Sequence, residues 1–191
     1  MLSESIDISS LETILKNSTL LEADASGPKV LLTQEKTIIK LFRRKRLLSS
    51  ALWKPYSLRF INNAEKLKKL GIPSIIPIRH IKIIKHSLTA VEYFPLAGKT
   101  LQEIYLEDPL KLKRKNSAIK RFINTLHEKG IYFRSLHLGN IIITPDGRFG
   151  LIDIADMRFF GKPLNSNQRK RNSEHFKSHL KRNGLLKVDL P

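Results

Sequence analysis

The strongest pattern of apolar and polar residues in this chain predicts a β-hairpin between Asn140 and Asp153. Two apolar runs rich in β-branched residues, Ile141–Ile143 and Phe149–Ile154, flank a Pro-Asp-Gly turn centred on Asp146. Folding the runs about this turn places Asn140 roughly opposite Asp153, and facing residues of an antiparallel pair lie about 5 Å apart. The pattern therefore predicts an amide oxygen beside a carboxylate, where a hard cation such as Mg²⁺ could bridge them.

Elsewhere the periodicity predicts a mixture of strands and helices. Strands are expected at four apolar runs: Val30–Leu32, Thr37–Phe42, Ile75–Ile78 and Leu88–Phe94. Helices are expected at four further segments: 57–70, 101–106, 117–129 and 168–182. Ser57 is expected to cap the first of these helices and Gly71 to end it. Residues 6–21 are compatible with a helix or with an extended lead-in.

Length and composition indicate a folded protein of ordinary size. The 191 residues can bury a core as one domain or as two small lobes, and 41% of them are hydrophobic. The absence of cysteine excludes disulfides and thiolate metal sites. No apolar run approaches the roughly 18–20 residues that span a bilayer, and the first residues lack signal-peptide character. The histidines show no ligand spacing, and His80 and His86 are expected at the surface.

The net charge of +18 indicates an anionic partner. Acidic residues dominate before Pro28, and nearly all lysines and arginines follow it. Such a field attracts nucleic acid, anionic lipid, phosphorylated sugars and nucleotides. The alternative is a basic protein without a special partner, as lysine-rich genomes produce. Nucleic acid is disfavoured because no helix-turn-helix, zinc finger or aromatic-interleaved strand accompanies the charge.

A basic run, Arg43–Arg46, precedes four large apolar residues: Leu47, Leu48, Leu52 and Trp53. This segment is either a solvated turn or a peripheral contact with an anionic membrane. In the second case each basic residue contributes about 1 kcal/mol to membrane binding.

Lys40 is a charged residue inside the predicted strand Thr37–Phe42. Such a lysine lies either at a sheet edge or in a site. Glu65, four residues after Ile61 on the next helix, borders the predicted buried face, and an unpaired buried carboxylate is unfavourable. Lys40 is its obvious partner. The two residues therefore form either a functional ion pair or an ordinary surface pair.

The hairpin carries a resemblance to a known family. The run Leu136–Asn140 reads LHLGN and is followed, after the turn, by LID ending at Asp153. This arrangement resembles the catalytic segment of protein-kinase-like phosphotransferases, H-R-D-L-x-x-x-N and then D-F-G. Its form resembles small-molecule and lipopolysaccharide kinases more than eukaryotic protein kinases. Among these it is similar to the bacterial lipopolysaccharide core kinases, the WaaP and Kdo kinase group with its toluene tolerance protein offshoot. The resemblance covers roughly residues 30–160.

The resemblance implies that Asn140 and Asp153 bind Mg²⁺. Together with Lys40 and Glu65 they would bind ATP, with Lys40 on the phosphates and Glu65 positioning it. One part of the kinase pattern is absent: instead of a Gly-rich phosphate loop the chain has only the Ala-Ser-Gly-Pro sequence ending at Pro28.

The resemblance also indicates where the catalytic base should be, and the base is missing. Ser135 occupies the position of the catalytic Asp, and a hydroxyl is too weak a base to hold a substrate proton at neutral pH. His137 is a candidate to take the proton or to orient the loop, and Arg134 to hold a phosphate or to brace the loop. Asp156 is a candidate second acidic ligand, or a turn or helix cap.

The expected architecture is therefore an α+β, protein-kinase-like two-lobed fold with a truncated C-terminal lobe. We expect an N-terminal lead-in at 1–29, a small lobe at 30–98, and a reduced helical lobe with the catalytic hairpin at 99–191. Few residues follow Asp153, so a large platform for a peptide substrate is not expected.

The expected function is ATP-dependent phosphoryl transfer, with Mg²⁺, to a lipopolysaccharide core sugar or another anionic small or lipid-linked substrate. The expected location is cytoplasmic, either free or peripheral on the inner face of the bacterial inner membrane. The alternatives are a pseudokinase, which binds a nucleotide or a partner without catalysis, and a basic nucleic-acid-binding protein.

Overall fold

The computed structural model describes residues 2–43, 55–182 and 184. The fold is mixed α and β, as predicted, and divides into two compact units. The first unit comprises Met1–Glu65 and Ile75–Pro95, and the second comprises Lys66–Ser74 and Leu96–Pro191. Of the segment with a predicted membrane contact, only Arg43 is described, and its other residues, 44–53, lie outside the described part of the chain.

A six-stranded sheet forms the first unit. Its strands are β1 (Leu2–Ile6), β2 (Thr19–Asp24), β3 (Gly27–Leu32), β4 (Ile38–Arg43), β5 (Ile76–Ile83) and β6 (Leu88–Phe94). The spatial order is β1-β5-β6-β4-β3-β2, with β1 parallel to β5 and the other pairs antiparallel. The four strands predicted from the sequence correspond to β3–β6 and are confirmed. The expected lead-in contributes β1 and β2 to this sheet.

Two helices belong wholly or partly to this unit, α1 (Ile8–Lys16) and α2 (Tyr56–Lys69). The carboxylate of Asp7 caps α1 by accepting from the backbone N–H of Ser10 at 2.8 Å. A core of β-branched and leucine side chains lies between α1 and the sheet: Ile6, Leu11, Leu31, Ile39, Leu41, Ile81 and Ile83. Gly71, with φ of +72°, follows the last turn of α2 as predicted.

Two predictions in the first unit are wrong. Ser57 lies inside the first turn of α2 instead of capping it. His80 is buried and not at the surface, because its Nε2 shares a 3.0 Å hydrogen bond with the buried hydroxyl of Ser57. His86 is exposed, as predicted.

The described residues of the second unit form short strands and several helices. Its strands are β7 (Lys99–Thr100), β8 (Ile131–Tyr132), β9 (Ile141–Ile143), β10 (Phe149–Leu151) and β11 (Arg158–Phe159). Its helices are α3 (Leu101–Glu107), α4 (Pro109–Lys113), α5 (Asn116–Glu128) and α6 (Ser166–Arg182). Strands β10, β9 and β7 form one antiparallel sheet, and β11 pairs with β8. The helices predicted near 101–106, 117–129 and 168–182 are confirmed as α3, α5 and α6.

The predicted hairpin is formed by β9 and β10. Thr144 and Arg148 close the turn through a 2.9 Å bond from the Thr144 N–H to the Arg148 carbonyl. Gly147 adopts φ of +81°, the left-handed conformation that a three-residue hairpin loop places at this position. Strand β10 ends at Leu151, before the predicted end at Ile154, because the chain turns there into a short 3₁₀ segment.

Candidate functional site

Asn140 lies immediately before β9, at the open end of the hairpin. It ends a 3₁₀ segment, Leu138–Asn140, and is only 7% exposed. Its side-chain nitrogen donates to the carbonyl of Ser135 at 2.9 Å. Because the nitrogen is engaged in this way, the amide oxygen is the atom that can serve a cation.

Asp153 comes directly after Ile152, the residue that lies opposite Asn140 in the hairpin. The backbone N–H of Ile152 donates to the carbonyl of Asn140 at 3.1 Å, so Asp153 lies one position beyond direct opposition. Asp153 is exposed and adopts φ of 52° and ψ of 44°, in the left-handed region. Asp and Asn are enriched among the few non-glycine residues found there, and such conformations concentrate at functional sites.

Ser135 is bonded to Asp156 in the same unit. Its hydroxyl donates to Oδ2 of Asp156 at 2.6 Å. Asp156 is the last residue of the 3₁₀ segment Ile154–Asp156. Its side chain accepts the hydrogen bond from Ser135 and does not act as the predicted helix cap. Its other oxygen, Oδ1, is buried and has no hydrogen-bond partner within the described part of the chain.

The surroundings of Asp156 raise the pKa of its carboxyl above the ordinary value. Burial is the main cause, and the negative charge of Asp153 acts in the same direction. The hydrogen bond from Ser135 and the positive charge of Arg134 partly oppose both.

His137 is held by its neighbours in a neutral form. Burial lowers its pKa to about 4, the nearby His179 adds to this, and Asp153 opposes it. Its Nδ1 accepts from the backbone N–H of Gly139 at 3.2 Å. Its ring stacks on that of His179 in α6, with centroids 3.9 Å apart. A group with this pKa is a weak base at neutral pH, so these contacts favour the loop-orienting role.

Because His137 is neutral in the folded protein, we expect the free energy of unfolding to depend on pH. Because the pKa in the folded protein, about 4, is below the unfolded value of about 6.5, its contribution is complete above pH 6.5. It declines below that value and is lost as the pH falls through about 4.

In His137→Asn, which keeps an acceptor for Gly139, the free energy of unfolding should fall less steeply over this range. Urea titrations at several pH values measure this, with the exposed His86→Gln as control. An unchanged slope in His137→Asn would contradict the assignment.

Helix α6 braces the loop that carries Ser135, which the sequence did not predict. Asn172 is 1% exposed, and its side-chain nitrogen donates to the carbonyl of Phe133 at 2.6 Å. Its oxygen therefore accepts from Nε2 of His127 in α5, at 3.0 Å. The signal was present in the sequence as a stripe at four-residue spacing, and all three of its members are buried: Asn172, Phe176 and Leu180.

Replacing Asn172 by alanine should destabilise the protein. The change leaves the Phe133 carbonyl and the His127 N–H buried without partners, which costs about 1–3 kcal/mol. Asn167→Ala, at an exposed position of the same helix, is the matched control and should stay within about 0.5 kcal/mol. Chemical denaturation measures both variants. Equal losses in the two would show that Asn172 does not brace the loop.

The remaining predicted residues are placed as follows. Lys40 is half-buried in β4, with its Nζ 5.8 Å from the ring centroid of Phe60. Glu65 is exposed on α2, and within the described residues no ion pair joins it to Lys40. Arg134 is exposed. In the second unit the structure brings together Ser135, His137, Asn140 and Asp153, and it adds Asp156 to them.

The available oxygens suit one kind of cation. The described residues hold no group of three or more His, Asp or Glu side chains able to enclose a metal ion. The protein ligands that the sequence predicts for a cation at this site are the oxygens of Asn140 and Asp153. Mg²⁺ bound with a nucleotide needs only one or two carboxylates, because waters and phosphates complete its shell. The residues therefore fit Mg²⁺ that arrives with a nucleotide, and they do not fit a permanently enclosed metal.

Comparison of the chain with models of known protein families and with curated proteins gave no match. Among the described residues, no helix has the length and apolar character needed to cross a bilayer.

Proposed function

We propose that this protein is an ATP-dependent phosphotransferase of the protein-kinase-like class, with a two-lobed fold and a reduced C-terminal lobe. The observation that carries the proposal is the position of Asn140 and Asp153 at the open end of the β9–β10 hairpin. Both residues match the metal-binding positions of the kinase pattern. The left-handed backbone of Asp153 adds support, because strain of this kind is retained where the side chain has a task.

In this proposal each residue has a defined part. Mg²⁺ would supply neutralisation of the nucleotide phosphates when bound. Asn140 and Asp153 would hold it through their oxygens. The resemblance to kinases assigns Lys40 to the phosphate oxygens. Transfer of this kind depends mainly on positioning and charge neutralisation. Glu65, being exposed, would keep the positioning role only if nucleotide binding brings it to Lys40.

We propose a sugar hydroxyl of a lipopolysaccharide core, or a similar anionic small or lipid-linked compound, as the acceptor. The net charge of +18 favours anionic substrates, and the LHLGN form resembles kinases of this group more than eukaryotic protein kinases. The proposed place of action is the cytoplasmic face of the inner membrane, where such substrates are exposed.

A pseudokinase is the second candidate, and Ser135 is the observation that favours it. General-base catalysis typically contributes about 10²–10⁴-fold to a rate, and a serine alone does not provide it. A protein of this kind would keep nucleotide binding and lose transfer.

The two candidates separate in one assay. The protein is incubated with Mg-ATP and purified core oligosaccharide, and phosphorylated oligosaccharide is measured by mass spectrometry. The phosphotransferase proposal predicts a product that requires Mg²⁺. Nucleotide binding without product would support the pseudokinase instead, and absence of both would contradict the two candidates together.

A further inference from the structure

The hydrogen bond between Ser135 and Asp156 lies where the kinase pattern requires a base. The two residues are 21 positions apart, and the fold of the second unit brings them together with an oxygen–oxygen distance of 2.6 Å. This length falls within the 2.5–2.7 Å range of charge-assisted bonds from a hydroxyl to a carboxylate. The Ser135 hydroxyl is therefore directed at an acceptor able to take its proton.

Ser135 is also fixed beside the proposed cation ligands. Its carbonyl accepts from the Asn140 side chain at 2.9 Å, and Asp156 ends the 3₁₀ segment that directly follows Asp153. One loop and one short segment thus carry both the oxygens proposed for Mg²⁺ and the Ser135–Asp156 pair. Ser135 as a residue is half-buried, whereas Oδ1 of Asp156 is buried, so we take the Ser135 hydroxyl as the group that meets the acceptor.

A structural hydrogen bond alone does not explain an aspartate at position 156. Its Oδ1 has no partner within the described residues, and a buried polar group without one is unfavourable. An asparagine would accept the same bond from Ser135 without the cost of a buried charge. Burial and the charge of Asp153 raise the pKa of the carboxyl, while Ser135 and Arg134 lower it. The net direction makes Asp156 a stronger base than an ordinary aspartate.

We propose that Ser135 contacts the acceptor hydroxyl and relays its proton to Asp156, so that the pair replaces the single aspartate of the kinase pattern. This inference rests on the proposed phosphotransferase function. Ser135 is the catalytic residue, since it touches the substrate, and Asp156 acts through it as a positioning and proton-accepting residue.

The proposed reaction moves two protons and one phosphoryl group. The acceptor O–H bond breaks and its proton moves to the Ser135 oxygen, while the Ser135 proton moves to Oδ2 of Asp156. The acceptor oxygen forms a bond to the γ-phosphorus of ATP, and the bond from that phosphorus to the bridging oxygen breaks, releasing ADP. Asp156 then gives its proton to water, which restores the carboxylate.

The test compares Asp156→Asn and Ser135→Ala with the wild-type chain, using Mg-ATP and purified core oligosaccharide. Asp156→Asn keeps an acceptor for the Ser135 hydroxyl and removes the base, so kcat should fall by about 10²–10⁴-fold. The kcat of Ser135→Ala should fall by a similar factor, and the kcat of the double variant by little more. Ser135→Thr, which keeps a hydroxyl, should retain most of the wild-type rate. Asp146→Asn, an exposed aspartate at the far end of the hairpin, is the matched control and should keep the wild-type rate.

Two further measurements distinguish a proton relay from a hydrogen bond that has only a structural role. The rise in melting temperature on adding Mg-ATP should be the same in wild type and Asp156→Asn, since the relay does not bind the nucleotide. The acid limb of the wild-type rate profile should disappear in Asp156→Asn, with Asp153 and Arg134, the charges that face Asp156, still present. A rate within about threefold of wild type in Asp156→Asn or Ser135→Ala would overturn the relay and leave the phosphotransferase intact. A wild-type chain that binds Mg-ATP and transfers nothing would overturn both.

Discussion

Replacing Asp153 by asparagine is expected to abolish Mg²⁺-dependent nucleotide binding while leaving the fold intact. Asp153 is exposed, so the change removes no core packing, and asparagine tolerates the left-handed conformation that this position requires. What is lost is the one negative charge among the two proposed cation ligands. Changes in groups that merely support metal ligands cost 10- to 100-fold in affinity, so loss of this charge should raise the Kd for Mg-ATP by about 100-fold or more.

Isothermal titration with Mg-ATP measures this effect, and the melting temperature of the free variant checks the fold. Asp146→Asn makes the same chemical change at the other end of the hairpin and should bind Mg-ATP like wild type. Asp153→Ala is less informative, because alanine adds backbone strain at a positive φ. Wild-type affinity in Asp153→Asn would remove the site from the account.

A large loss of stability is expected from Gly130→Ala. Gly130 follows α5 with φ of +68°, and a Cβ there would lie 2.2 Å from the carbonyl oxygen of Lys162. The left-handed conformation costs an L-residue roughly 1–2 kcal/mol, and forcing the Lys162 backbone aside adds about 1–3 kcal/mol. We therefore expect a loss of about 3 kcal/mol, and a melting temperature about 6–12 °C lower for a chain of this size.

Gly161 provides a matched control, because it has the same φ of +68° and no heavy atom within 4 Å of a built Cβ. Gly161→Ala should show the conformational cost alone, about 1–2 kcal/mol. The difference between the two variants isolates the contact with Lys162. Similar melting temperatures in both would mean that the close approach is relieved without cost.

Local patterns predicted the elements of this fold well. The β9–β10 hairpin followed from a Pro-Asp-Gly turn between apolar runs, and α5 followed from an apolar stripe that ends at Gly130. These signals are local in the chain, since turn chemistry and periodicity act between near neighbours. The α+β class of the fold follows from them and is confirmed.

Features that depend on distant residues were not predicted. Strand β1 joins the sheet by pairing in parallel with β5, more than 70 positions further along the chain. Its residues are mostly exposed and lack a clear alternation. His80 was wrongly assigned to the surface because its partner, Ser57, lies on another element. Contacts of this kind arise from packing and leave little trace in local periodicity.

The candidate site likewise combines features that local patterns predicted with features that depend on distant residues. Asn140 and Asp153 were located by the hairpin pattern, because their proximity follows from the strands between them. The bond from Ser135 to Asp156, and the bond from Asn172 to Phe133, join segments that only the tertiary fold brings together. The base that the sequence pattern lacks at position 135 therefore has a candidate that linear motifs cannot show.

The melting temperature of the wild-type chain with Mg-ATP tests the central claim most directly. We expect a rise that needs both components, because in the proposed site Asn140 and Asp153 would hold Mg²⁺ only together with phosphates. At a hundredfold excess over the Kd the stabilisation is about 2.7 kcal/mol, which corresponds to several degrees. ATP with a chelator, and Mg²⁺ alone, should produce much smaller shifts. An unchanged melting temperature at millimolar Mg-ATP, together with a clear rise on adding a DNA or RNA oligonucleotide, would contradict the account and favour a nucleic-acid-binding protein.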